Sequence, residues 1–181
     1  PPARLRSTRM NDQGRFRVKG VWRYKTGMTA FPIRPIGTIH TPWPTIADCP
    51  RNGRQPHPAP VCRVHVHAGF TEGLRSLDGF SHLILLYWLD RARPAELVFT
   101  PPFDPQPRGI FATRGPHRPN PIGLSVVAFD GFERADTLLV RYLDCVDGTP
   151  LIDIKPYLPT TDAEPGATMG WLEPHATRPP A

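Results

Sequence analysis

From Ile33 onward the chain alternates between short apolar segments and proline-rich stretches, and the apolar spacing predicts strands rather than helices. Ile33 to Thr41 (IRPIGTIHT) reads as a strand, with Pro35 requiring either an edge position or a late start. Val61 to His67 (VCRVHVH) alternates with a period of two, so Val61, Val64 and Val66 compete for the core face, and the alternation slips by one at Val64. Ser81 to Asp90 (SHLILLYWLD) is the strongest apolar run and is expected as a central strand buried on both faces. Leu124 to Phe132 and Thr137 to Leu143 form two further strands joined through Glu133 to Asp136, a hairpin signal, and Leu151 to Lys155 is the last strand before Pro156.

The connections are as informative as the strands. Trp43 to Pro60 and Arg91 to Pro107 are proline-rich loops, Phe70 to Phe80 is a short turn or single helical turn ending at Gly79, and beyond Pro159 the chain is loop-like, with Trp171 and Leu172 docking back. Six or so short strands with many turn signals indicate an all-β barrel or sandwich. A parallel nucleotide-binding fold is disfavoured, because neither GxGxxG nor a strand-helix alternation is present.

Charge changes the picture in one place. The formal net charge of +6 resides in residues 1–30, where eight Lys and Arg face Asp12 alone, while the remaining residues carry 14 cations and 15 anions. The leading segment has no hydrophobic periodicity and is expected as a basic, disordered leader; residues 31–160 form the domain and 161–181 a C-terminal tail. The longest apolar stretch, Leu83 to Leu89, is far too short to span a membrane as a helix. Three cysteines, Cys49, Cys62 and Cys145, stand in no metal-ligand spacing; with no signal peptide in view they are expected as reduced thiols in the cytoplasm.

The candidate chemistry gathers in two stretches. Gly109 to Ser125 (GIFATRGPHRPNPIGLS) places guanidinium, imidazole and amide groups between prolines, and each proline fixes its own φ and biases its predecessor toward extended geometry. A preordered loop loses little entropy on binding, so it suits ligand capture; the alternative is a proline-rich surface turn between two strands. In Asp144 to Tyr157 (DCVDGTPLIDIKPY), Asp147-Gly148 marks a turn, and Asp153 and Lys155 share one strand face. The two stretches are read as walls of one pocket; the alternatives are a turn cap at Asp147 and a surface ion pair at Asp153 and Lys155. A metal site from His57, Cys62, His65 and His67 lacks acidic or thiolate partners at finger spacing, so no metal is expected, and there is no GxSxG elbow for a serine hydrolase.

IRPIGTIHTPW, GLRSLDGFSHLILLYW, GIFATRGPHRPNPIGLS and LDCVDGTPLIDIKPY, in this order over residues 33 to 158, resemble the TrmO (TsaA-like, VirR-like) family of S-adenosylmethionine-dependent methyltransferases, in its short branch. The resemblance implies a small closed or partly open β-barrel of six or seven strands, a homodimer, and N6-methylation of threonylcarbamoyladenosine beside the anticodon of tRNA. It assigns Arg114, His117, Arg118, Asn120, Pro121 and Ile122 to the S-adenosylmethionine loop, and Asp147, Thr149, Asp153, Lys155 and Tyr157 to the opposite wall. The family's loop commonly carries Ser where this chain has Gly115. A nitrogen acceptor must shed a proton, which makes Asp147 and Asp153 the candidate bases, with Lys155 keeping a carboxylate ionised and Tyr157 orienting the acceptor. A small-molecule acceptor, or a noncatalytic S-adenosylmethionine sensor or scaffold, remains the alternative.

Overall fold

A computed structural model describes residues 32–175 and, as backbone, the strand pair β1 (Arg15–Val18) and β2 (Val21–Tyr24). β1 and β2 pair antiparallel within the basic leader; the rest of residues 1–31 lies outside the described residues.

Six strands close into an antiparallel barrel: β3 (Gly37–His40), β4 (Cys62–Val66), β5 (His82–Trp88), β8 (Ile122–Arg134), β9 (Thr137–Arg141) and β10 (Thr149–Pro156). Their order around the barrel is β10-β3-β4-β9-β8-β5. β6 (Val98–Phe99) and β7 (Arg108–Gly109) form a small separate ribbon inside the β5–β8 connection. The core is the inner face of this barrel, where Ile39, Val64, Leu83, Leu85, Val127, Leu138, Val140 and Leu151 are fully buried.

Closure corrects two readings of the strands. β5 is not buried on both faces: Leu83, Leu85 and Tyr87 point inward while His82, Ile84, Leu86 and Trp88 are only half-buried. A barrel has one interior, so each strand presents alternate residues to it, however apolar the others are. In β4 the inward set is Cys62, Val64 and Val66, which removes the apparent slip; Val61 precedes the strand and is exposed. Pro35 reflects a late start, since β3 begins at Gly37. The stretch Phe70–Phe80 holds most of a 3-10 helix, Ala68–Leu74, followed by the Gly79 turn at φ +88°.

Antiparallel order fixes where the loops emerge. β3, β5 and β9 end, and β4, β8 and β10 begin, at the same rim, so residues 41–61, 89–121 and 142–148 all leave the barrel there. The opposite rim carries the Ala68–Leu74 helix, the short β8–β9 hairpin turn and the exit of β10.

Candidate functional site

The stretch from Gly109 to Ser125 is not one loop. Gly109 ends β7, a 3-10 turn covers Ile110–Ala112, and Ile122 already belongs to β8, leaving residues 113–121 irregular. Two three-residue turns shape this segment: Arg118 N donates to Pro116 O and Ile122 N to Asn120 O, at 2.9 and 2.8 Å. Leu89 N donates to the carbonyl of buried Pro121 at 2.8 Å and pins the end of the loop to the end of β5.

Arg118 is the loop's internal staple. Its Nη1 donates to the carbonyls of Thr113 (2.9 Å), Ile110 (3.0 Å) and Gly115 (3.5 Å). Its guanidinium also lies 5.8 Å from the Phe111 ring centroid. His117 is positioned by Arg93, whose Nε and Nη2 reach its Nε2 at 3.3 and 3.2 Å. Burial, reinforced by the Arg93 charge, holds the His117 pKa below its ordinary value, so the ring is neutral. With Nε2 accepting from Arg93, the proton resides on Nδ1, which is buried and makes no hydrogen bond among the described residues. A buried N–H without a partner costs free energy until an acceptor satisfies it. The Asn120 side chain is exposed at the loop surface.

Facing the loop is a polar cluster that sequence reasoning did not identify. The Tyr87 hydroxyl donates to Asp144 Oδ1 at 3.0 Å and lies 2.9 Å from Ser125 Oγ. β8 pairs with β5 from Ile122 but with β9 only from Ala128, so the gap between the start of β8 and the end of β9 is closed by side chains, Asp144 among them. Burial raises the Asp144 carboxyl above the usual carboxylate range, opposed by its bond from Tyr87 and by the nearby Arg114 charge. Burial likewise pushes the Tyr87 hydroxyl far up, so it remains a donor. The Arg114 Nη2 donates to Leu124 O at 2.8 Å, one residue before Ser125.

Asp147 sits at the same rim in the turn that Gly148 makes possible at φ +80°. Its Oδ1 accepts from Thr41 N and faces His40 Nδ1, both at 3.2 Å, which ties β3 to the start of β10. Arg91 bridges the same loops by donating to Pro44 O and Asp147 O, each at 3.3 Å. Thr149 is buried, and its hydroxyl donates back to Val146 O at 2.6 Å, so it shapes the turn from inside.

The remaining positions on the second wall diverge from the rim. Asp153 forms an ion pair with Lys155 at 2.8 Å on the outer face, in register with Leu86 and Ile84 of β5. Tyr157 lies at the opposite rim, its N bonded to His82 O and its ring 6.3 Å from that of His82. Eight residues of strand separate it from Thr149, about 25 Å. Strand order puts Arg114, His117, Arg118, Asn120, Pro121, Ile122, Asp147 and Thr149 at one rim of the barrel, Asp153 partway down the wall, and Lys155 and Tyr157 toward the other rim.

Other candidates do not form. Cys62 and Cys145 face the core, and burial pushes the Cys62 thiol up to about 11 and Cys145 up as well, so neither is a ready thiolate. Among the described residues no group of His, Cys, Asp and Glu is arranged to hold a metal ion. No helix among them is long and apolar enough to cross a membrane.

The profile of the tRNA-methyltransferase O N-terminal domain matches residues 38–163. A probable S-adenosyl-L-methionine-binding protein of Archaeoglobus fulgidus is 42% identical over 147 residues, 81% of this chain but 39% of its own length. A second, shorter S-adenosyl-L-methionine-binding protein of the same organism is also 42% identical, covering 72% of this chain and 91% of itself. The tRNA (adenine(37)-N6)-methyltransferase of Escherichia coli is 32% identical, over 81% of this chain and 66% of its own. The crystal structure of TrmO from Pseudomonas aeruginosa superposes with a TM-score of 0.67 at 35% identity, covering 84% of this chain and 66% of that one. The chain therefore spans only part of several longer relatives. With the closed barrel, the proline-rich rim loop and the 38–163 match in agreement, the chain belongs to the TrmO N-terminal domain family.

Proposed function

We propose that this chain binds S-adenosylmethionine at the rim formed by residues 113–122 and 142–149 and transfers its methyl group to a nitrogen acceptor, with adenine N6 in tRNA as the favoured acceptor. The observation that carries the reading is the buried Nδ1–H of His117, a donor with no partner among the described residues, inside a loop already stapled by Arg118. Such a donor fits a heteroatom of the nucleoside or the carboxylate of the cofactor. The exposed Ile122 and Phe111 offer apolar surface for the adenine ring.

When bound, S-adenosylmethionine supplies a methyl group on a positively charged sulfur. What the protein adds is position: Arg118 and the two turns hold the loop, and Pro121 fixes it to β5, so little entropy is lost when the ligand is aligned. An acceptor nitrogen must also release a proton, which a carboxylate can take; Asp147, at the rim, and Asp153, partway down the outer face, are the candidates named from the sequence. Lys155 is the ion-pair partner of Asp153, at 2.8 Å. Tyr157, at the far rim, can orient an acceptor only at a site to which a second chain contributes.

A homodimer forms part of this reading. The outer faces of β5 and β8 present Leu86, Trp88, Ile122 and Leu124 side by side, with Ile122 and Leu124 40% and 44% exposed. The loop aromatics that suggested a partner surface are partly accommodated within the chain, since Phe103 stacks on Trp171, so this outer stripe is the better reason for a twofold interface. As a tRNA-modifying enzyme the protein would act in the cytoplasm.

The test is to incubate the purified protein and labelled S-adenosylmethionine with RNA and metabolite pools from a deletion strain, with light scattering for the assembly. Label appearing in tRNA adenosine supports the proposal. Cofactor binding without transfer to any pool favours a noncatalytic sensor, the reading suggested by the short Archaeoglobus relative, whose name specifies binding alone.

A further inference from the structure

Opposite charges meet at the rim without pairing. Arg114 donates to Leu124 O, and Asp144 is held by Tyr87, whose hydroxyl also contacts Ser125 Oγ. Leu124 and Ser125 are consecutive, so the two charged groups are anchored at neighbouring positions of β8. They are close enough for the Arg114 charge to favour the ionised form of Asp144, yet they form no ion pair with each other. Both stand where β8 lacks β9 as a neighbour and side chains close the barrel wall.

Three other rim arginines are engaged elsewhere. Arg118 is shared among three carbonyls, Arg91 spans two, and Arg93 is directed at His117. Arg114 makes a single carbonyl bond among the described hydrogen bonds and is exposed, so its fork retains donors for a ligand. A half-buried carboxylate braced by a tyrosine hydroxyl is a poor arrangement for stability, because burial disfavours its charge. It is a good arrangement for receiving a cation.

From this geometry we infer that Arg114 and Asp144 are the two poles of a clamp for a zwitterion, Arg114 taking the carboxylate and Asp144 the ammonium of an α-amino acid group, with Tyr87 and Ser125 as positioning residues for Asp144. The inference rests on the S-adenosylmethionine reading and deepens it: the clamp takes the methionine tail of the cofactor, while residues 115–121 of the loop are left to the nucleoside. Fixed opposite charges that cannot neutralise each other discriminate for a ligand carrying both signs and against one carrying neither.

Calorimetry on the full chain tests this with two probes that share the adenosine thioether. S-adenosylhomocysteine has the amino acid tail, and 5′-methylthioadenosine lacks it. The wild-type protein is expected to bind the former at least about tenfold more tightly, the size of one charge-assisted contact. Asp144→Asn and Arg114→Gln should each lose most of that preference while binding 5′-methylthioadenosine within about twofold of wild type, which also shows that the variants are folded. Tyr87→Phe should weaken S-adenosylhomocysteine alone, by a smaller factor. Equal wild-type affinity for both probes, or variants that weaken both equally, overturns the clamp and leaves the cofactor reading standing. Failure of the wild type to bind either probe overturns both.

Discussion

The Tyr87 ring lies directly over Gly123, its register partner across β5 and β8, so closely that a Cβ at position 123 would fall within the ring. This accounts for the glycine in PIGLS on packing grounds, and it explains how a tyrosine fits inside a small barrel with its hydroxyl directed at Ser125 and Asp144. Gly123→Ala should displace the ring and cost about 1–3 kcal/mol, as overpacking of a filled core does. Urea denaturation measures it, and wild-type stability in this variant would show that the ring has room to move.

The carboxyl of Asp144 leads to a pH prediction. Its folded-state pKa is raised, chiefly by burial, so the native state holds its proton more tightly than the unfolded chain does. The ionised group therefore destabilises the fold above the ordinary carboxylate pKa, and this contribution fades as the pH falls below that value. Asp144→Asn should raise the Tm at pH 7, with the gain shrinking toward pH 4. A gain independent of pH would place its origin elsewhere.

Removing the staple should loosen the loop. Arg118→Ala leaves the carbonyl of Thr113 without its donor, while Ile110 O keeps its bonds from Thr113 N and Oγ1, and both this variant and Asn120→Ala are expected to weaken S-adenosylmethionine binding by about 1–3 kcal/mol. Arg118→Lys should recover only part of this, since a point charge does not reproduce a planar fork serving several acceptors. Unchanged affinity in all three variants would remove the loop from the binding site.

Trp171 anchors the C-terminal turn to the segment that leads into the loop. It stacks on Phe103, lies under Arg108 and donates through Nε1 to Ala112 O at 2.8 Å, one residue before Thr113. Trp171→Ala should expose residues 96–112 to limited proteolysis and lower the Tm. The backbone N–H of Gln106 and the Arg108 side chain hold the Asp104 carboxyl below its ordinary value. The stability it lends is thus full above the ordinary carboxylate range and lost as the pH falls through the lowered pKa, so proteolysis of this segment in the wild type should quicken in acid.

Strand positions were legible because a period of two survives in most of them, and the three long connections were legible from their prolines. The number of buried faces was not. The run from His82 to Trp88 is apolar throughout, and only closure of the barrel selects Leu83, Leu85 and Tyr87 as the inner set. The candidate site was half visible. Its loop announces itself by composition, whereas the contact of Asp144 with Tyr87 spans 57 positions and starts from an irregular segment with no period to follow. Tyr87 and Ser125 could have been found by parity, since each is the polar member of an otherwise apolar inward series. Tyr157 is grouped with Asp147 through the family motif that spans both, and an extended strand carries such sequence neighbours apart at its full rise per residue.

The concentration of long connections at one rim gives the barrel a working end and a handling end. The β8–β9 turn at Ala135 is exposed and faces away from the rim loops, with both flanking strands held in the sheet. A dye, affinity tag or surface tether placed there would present every molecule mouth outward, so an immobilised sample would be uniformly oriented for ligand capture. The same attachment in residues 41–61 or 113–121 would cover the opening it is meant to report on.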